Sequence, residues 1–292
     1  MTADIRLLAL TPAGGYSPVR GLDCGILLSD PASSDFVISR TAKYCDKAAA
    51  IYHIMGQRTV FNAVTPFQDF ATYLTNGQNG LTVVSPGTEY FVVSTSATDV
   101  AGSAGVSKVR IVYLDAAGVQ RVKSATLNGT TKVSIGSGYL AFQWMESSEL
   151  GTAGATSAVG NISIFSGVGV AAAESTTVEQ IQALSNRSLT GRYTVPYGHT
   201  GYLISWDSSA PGSQAMDARI RAECFTDDRS LSPGIFHFQG SMFQASTSPS
   251  SIEELRYQRV PALAMTKISC YPAGTTGTPR CDATFHILVV AD

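Results

Sequence analysis

From about residue 78 onward, apolar positions recur at every second residue, and a period of two is the mark of strands with one buried face. Val109 to Leu114 (Val-Arg-Ile-Val-Tyr-Leu) is rich in β-branched residues and predicts a strand. Asp115-Ala-Ala-Gly118 predicts a short turn after it, with Gly118 free to take a positive φ. The chain returns through Val119 to Leu127 and meets Asn128-Gly129, which predicts a type I′ hairpin turn. Tyr90 to Thr95, Val133 to Ile135, Leu140 to Trp144 and Ile162 to Phe165 add strands. Their connections are too short for parallel crossovers, so the pairing is expected to be antiparallel.

A second β region is expected from about 188 to the end. Arg192 to Val195 and Tyr202 to Trp206 flank a turn at Pro196-Tyr-Gly-His199. Ala218, Ile220, Ala222 and Cys224 alternate with Arg219, Arg221 and Glu223, which separates a core face from a polar one. Ile235 to Phe238, Ala264 to Cys270 and Ala283 to Val290 follow. The last of these is apolar on both faces, as befits a central strand or an interface.

The N-terminal third lacks this period. Leu7 to Leu10 and Gly25 to Leu28 predict short strands or extended arms. Asp46 to Met55 predicts a short helix capped by Asp46 and stopped by Gly56. Thr65-Pro66-Phe67-Gln68 has the form of a capping box and predicts a helix ending near Asn76-Gly77. Gly167 to Ser175 is a small-residue linker, and Thr176-Thr-Val-Glu179 is a second capping box, predicting a helix through Leu184. The expectation is a mainly β protein. Residues 1–77 would form an N-terminal attachment segment of mixed α/β character, with 78–170 a β-sandwich domain. Residues 171–187 would be a linker with a short helix, and 188–292 a second β-sandwich or jelly-roll-like domain.

Composition narrows the function classes. Charged residues are 14% of the 292, against about a quarter in ordinary proteins, and Ser, Thr, Ala and 27 Gly take their place. Few long charged side chains would hold such a surface away from its neighbours, which suits a subunit packed in an assembly. Net charge is −2 and Lys and Arg are scattered, so no direct nucleic-acid contact is expected. No apolar run approaches the roughly 20 residues of a membrane helix, so no membrane partner is expected. The first residues carry no signal-peptide pattern, and synthesis in a cytoplasm is the expectation.

Candidate chemistry is sparse. Five cysteines (Cys24, Cys45, Cys224, Cys270, Cys281) include no CxxC pair, which argues against a disulfide framework and a zinc site. Cys270 and Cys281 flank a Pro/Gly-rich loop and are candidates to face each other across a hairpin, most simply as buried thiols. His53, His199, His237 and His286 are isolated, with no metal-ligand spacing. Gly167-Val-Gly169-Val-Ala-Ala172 has the letters of a dinucleotide fingerprint but no βαβ rhythm around it. No nucleophile elbow occurs, and Asp227-Asp228 and Glu253-Glu254 are neighbours that a strand points to opposite faces. No catalytic, cofactor-binding or metal-ligating residue is therefore expected. Tyr197, Trp206 and Tyr271 are the candidate ligand or interface aromatics, with core packing favoured for Trp206 by the apolar Tyr202-Leu-Ile before it.

Tyr90-Phe-Val-Val-Ser-Thr-Ser-Ala-Thr-Asp99, Val109 to Gly118 and Thr126-Leu-Asn-Gly-Thr130 together resemble a β module of tailed-bacteriophage virion proteins. Gly191-Arg-Tyr-Thr-Val-Pro-Tyr-Gly-His-Thr-Gly-Tyr-Leu203 resembles the opening of the module that follows it. The resemblance covers most of residues 80 to 292. It implies a virion structural subunit that forms a homo-oligomer and contacts other virion proteins of capsid, tail or fibre. It brings no catalytic residues. Two rival functions remain in view: a receptor- or glycan-binding module on the particle surface, and a polysaccharide depolymerase, which needs paired acids in a groove.

Overall fold

The structure is a computed structural model. It describes residues 8–10, 16–18, 49–58, 68–74, 80–152, 154–167, 176–209, 215–224, 235–244, 250–273 and 281–292. The chain divides into two compact units, one of residues 1–50 with 290–292 and one of residues 51–289. The first contains β1 (Leu8–Leu10) and β2 (Tyr16–Pro18), an antiparallel pair with Ala9 opposite Ser17. Of the stretch Leu7 to Leu10, expected as a short strand or an extended arm, residues 8–10 are a strand, and Gly25 to Leu28 lies outside the described residues.

The second unit carries most of the remaining strands. In chain order these are β3 (Ala49–Arg58), β4 (Gln68–Asp69), β5 (Tyr90–Ser94), β6 (Val106–Asp115), β7 (Gln120–Thr126), β8 (Val133–Gly136) and β9 (Tyr139–Leu150). They continue as β10 (Ile162–Ser166), β11 (Thr177–Ile181), β12 (Arg192–Thr194), β13 (His199–Ser209) and β14 (Ala215–Cys224). The last four are β15 (Ile235–Gln244), β16 (Ser250–Val260), β17 (Ala264–Ala273) and β18 (Cys281–Ala291). Among the described residues there is no α-helix, and the protein is mainly β.

Two sheets, ordered β11-β10-β5-β8 and β7-β6-β9, share one core. Val92, Val109, Ile111, Phe142, Met145, Ile162, Ile164 and Val178 fill it. The predicted hairpin of Val109 to Leu127 is β6 and β7, running antiparallel from Leu114 opposite Gln120 to Lys108 opposite Thr126. Asp115 shapes its turn, since its Oδ1 accepts from the backbone N–H groups of Ala117 and Val119, at 3.0 and 2.9 Å. Those bonds, led by the one from Val119, hold the carboxyl below the usual range. Gly118 takes φ 77° there.

The Asn128-Gly129 turn differs from expectation. Thr131 N–H bonds to Asn128 O, so Gly129 and Thr130 are the central residues, and only Gly129 has positive φ (58°). That is the pattern of a type II′ turn. It also joins strands of different sheets, because β7 belongs to one and β8 to the other. The backbone of Ala97 crowds Gly129 so closely that a Cβ there would stand 2.9 Å from Ala97 O.

The other two sheets, β16-β13-β18-β3 and β12-β17-β14-β15, share a second core. It contains Ile54, Tyr193, Leu203, Trp206, Ile220, Ile268, Phe285 and Ile287. The alternation read at 218–224 appears as β14, which pairs antiparallel with both β15 and β17.

In all three predicted helices the described residues include strand instead, for a common reason: tertiary pairing overrides local helix signals. Residues 49–58 of the Ala-rich stretch form β3, whose β-branched and aromatic centre lies beside β18. Gln68 of the first capping box and Asp69 after it pair with Cys270 and Ser269 of β17. Thr177 to Ile181 of the second capping box forms β11, antiparallel to β10.

Its glutamate caps nothing. Glu179 is fully buried and faces Arg192 Nη2 at 3.2 Å. This pair belongs to a polar seam between the two cores. Arg192 also donates to Phe142 O at 3.2 Å and Val178 O at 2.7 Å, and Thr190 Oγ1 donates to Glu179. Gln143 of β9 grips β12, donating to Thr194 O at 2.5 Å and accepting from Thr194 N at 2.9 Å. Gly191 is pressed against Gly56, where a Cβ would meet Gly191 Cα at 2.7 Å. The seam fixes the outer half of β3, since Gln57 N donates to Leu189 O.

Candidate interaction surface

β3 ends its sheet, and its side chains alternate by face up to Met55, with Gln57 next on the outer face already buried. Ile54, Gly56 and Arg58 point into the protein, whereas Ile51 and Met55 are 47% and 40% exposed and His53 is exposed between them. Apolar side chains standing open on a terminal strand are an unusual choice for a free surface. The inward ring of Tyr52 stacks on Tyr193, with centroids 4.9 Å apart, and tilts against Trp144 at 5.7 Å. Gln120 Nε2 donates to Tyr52 Oη at 3.2 Å, and Tyr193 Oη donates to Gln120 Oε1 at 3.2 Å. Burial raises the Tyr193 phenol, so it stays a neutral donor.

A polar row continues from β3 across the sheet. The His53 ring stacks on His286 of β18, 4.5 Å between centroids and 16° between planes. His286 Nδ1 shares a hydrogen with Ser205 Oγ of β13 at 3.1 Å. Glu254 of β16 stands directly across the ladder from Ser205. Thr284 Oγ1 donates to Asp207 Oδ1 at 2.5 Å, and Gln57 Nε2 donates to Asp282 Oδ1 at 2.7 Å. Partial burial is the main influence lowering the His286 pKa; His53 adds to it and Asp207 opposes it. The row thus holds one imidazole, His286, whose charged form burial disfavours, beside the Asp207 and Asp282 carboxylates.

The Ser205–His286 bond invites comparison with a nucleophile and its base. β13 lies between β16 and β18, and its register to β16 shifts between Leu203 and Ser205. Among the described residues no group of three or more His, Cys, Asp or Glu side chains is placed to hold a metal ion. Among the described residues no helix is long and apolar enough to span a membrane.

The structure separates the aromatics singled out by sequence. Tyr197, in the turn between β12 and β13, is 64% exposed, and its N–H bonds to Gly118 O. Trp206 is 1% exposed inside the second core, which removes it as a ligand-facing residue. The backbone of Tyr271 lies on β17 opposite Asp217, and its side chain is outside the description. His199 Nδ1 donates to Tyr197 O, 3.0 Å away, and has no contact with His286 described. His237 is placed on β15 by its backbone alone. Residues Ile51, His53 and Met55 were hidden in the predicted helix. The clue was the cluster Ile51-Tyr-His-Ile54, whose β-branched and aromatic residues outweigh the alanines before it.

No protein-family model matches the sequence, and no curated protein matches it. Among solved structures, the infectious bursal disease virus Gx strain aligns over 84% of this chain and 72% of that one, with 8% identity and a TM-score of 0.22. The VP2 subviral particle of infectious bursal disease virus aligns over 84% and 72%, with 10% identity and a TM-score of 0.16. Overlaps of this size do not establish a shared fold.

Proposed function

We propose that this chain is a virion structural subunit, non-catalytic, that assembles with copies of itself and with other virion proteins. The observation that carries the proposal is the outer face of β3, where Ile51 and Met55 stand exposed beside the stacked His53–His286 pair and Ser205. The occupant is a second copy of this chain. With 14% charged residues and a net charge of −2, two copies repel each other little, and Ile51 and Met55 bury without a charge to desolvate. The resemblance of Tyr90 to Asp99, Val109 to Gly118, Thr126 to Thr130 and Gly191 to Leu203 to tailed-phage virion modules supports the same function. On this account the two pairs of sheets are two β-sandwich domains of the jelly-roll kind, acting in capsid decoration, tail or fibre. The protein works in the particle, without cofactor and without direct contact to nucleic acid or membrane. Size-exclusion chromatography with light scattering, joined to mass spectrometry of purified particles, tests this. A strictly monomeric chain that is absent from particles would overturn it.

A second function has one observation in its favour. Tyr197 presents an exposed ring on a turn braced by Gly118, the kind of aromatic on which a sugar or receptor side chain stacks. Binding on a glycan array that is lost in Tyr197→Ala would support it, and an array without hits would remove it.

A further inference from the structure

Two thiols meet between the sheets of the second core. Cys270 lies on β17 and Cys281 opens β18, strands that belong to different sheets. Both are free, with exposures of 0% and 1%, and both belong to the same core cluster. The Cys281 side chain is near enough to raise the Cys270 pKa, second only to burial itself. Only residues 271–280 separate them in the chain, so a bond between them closes a short loop. Cys224 is no competitor for Cys270. Cys224 pairs with Ala264, six positions along β17, which is about 20 Å at the rise of a strand.

We propose that Cys270 and Cys281 are a latent disulfide that joins the two sheets when the protein meets a small-molecule disulfide oxidant. The Cys270 thiolate attacks one sulfur of the oxidant, forms a mixed disulfide and expels one thiolate. The Cys281 thiolate then attacks Cys270 Sγ, closes the protein bond and expels the second. Two electrons pass to the oxidant, and the two protons end on the two released thiols.

The surroundings set the rate. The buried Arg58 guanidinium, which donates to Asp69 O at 2.9 Å, favours the Cys270 thiolate, while burial and the neighbouring Cys281 thiol work against it more strongly. Cys270 is thus held as a thiol in the closed fold, and oxidation requires that end of the strands to open. The pair stays reduced in a cytoplasm and closes slowly outside one. The chemistry needs no assembly, so it stands or falls separately from the proposed function.

Trypsin cuts after Lys267 and Arg280, which puts the two cysteines on separate peptides, 268–280 and 281–292. The full chain is incubated under native conditions with oxidised glutathione, then alkylated and digested without reductant. The expected result is a chain lighter by two hydrogens and a linked pair of those peptides that dithiothreitol separates. The thermal midpoint should rise on oxidation and return on reduction, with no rise in Cys281→Ser. The peptide map uses the unaltered chain, so it decides the matter even if that variant fails to fold. Both peptides recovered alkylated, both carrying glutathione, or Cys270 linked to a different cysteine would each overturn the proposal.

Discussion

Replacing Arg192 by Met strips the seam of its guanidinium while keeping much of the stem's volume. Arg192 and Glu179 have side-chain exposures of 4% and 0%, so water cannot take over the lost contacts. Phe142 O and Val178 O lose their donor, and Glu179 loses its only cation described. Breaking a buried ion pair from one side costs about 3–5 kcal/mol. With a urea m-value of about 3 kcal/mol/M, the unfolding midpoint should fall by about 1–1.7 M. The loss should also depend on pH. Burial raises the Glu179 pKa in the folded protein, and Arg192 pulls it back. Without Arg192 the folded value climbs further above the unfolded value of about 4.3. A carboxyl with a raised folded pKa binds more protons folded than unfolded, so stability declines as pH rises between the two values. Arg192→Met should therefore be most damaging near neutrality and milder toward about pH 5, and adding Glu179→Gln should recover part of the loss. Urea titrations of the four proteins at two pH values measure this. A cost below about 1 kcal/mol that is the same at both pH values would refute the buried-pair reasoning.

Asp99 offers a second test. It is fully buried and accepts from the N–H groups of Val106, Val159 and Gly160 at 3.0, 3.0 and 2.9 Å, and from Ser94 Oγ at 2.5 Å. In Asp99→Asn an amide NH2 confronts donors, and a loss of about 3 kcal/mol is expected from chemical unfolding. His286 offers a third. Its folded pKa is lowered, so the folded state binds fewer protons and stability falls as pH drops below about 6.5. The thermal midpoint should decline between about pH 7.5 and 5.5, and less so in His286→Asn; equal declines would show that the His53–His286 row is not the cause.

The β region was legible wherever one face is buried. Val109 to Leu127 and 218–224 alternate because each strand packs on a core, and Gly118 marks its turn because positive φ is needed there. Capping signals misled, because Thr177 and Glu179 satisfy local helix rules while their actual partners, β10 and Arg192, are distant in sequence. The same holds for β3. Its alanines favour a helix locally, yet β18 and residues 187–191 provide the edge on which it settles. The surface built on β3 was invisible for that reason, since His53 and His286 become neighbours only through strand order. Tyr197 was legible because a Pro-Tyr-Gly-His turn exposes its second residue. Trp206 read as core, and it is core.

The most direct test of self-assembly is the native mass of the purified chain by light scattering across a concentration series. The account predicts a multiple of the 30.7 kDa chain, reverting to one chain in Ile51→Asp/Met55→Asp with the β circular dichroism unchanged. A wild-type protein that stays a single chain at the highest concentration, or a double variant that assembles as well as wild type, would contradict it.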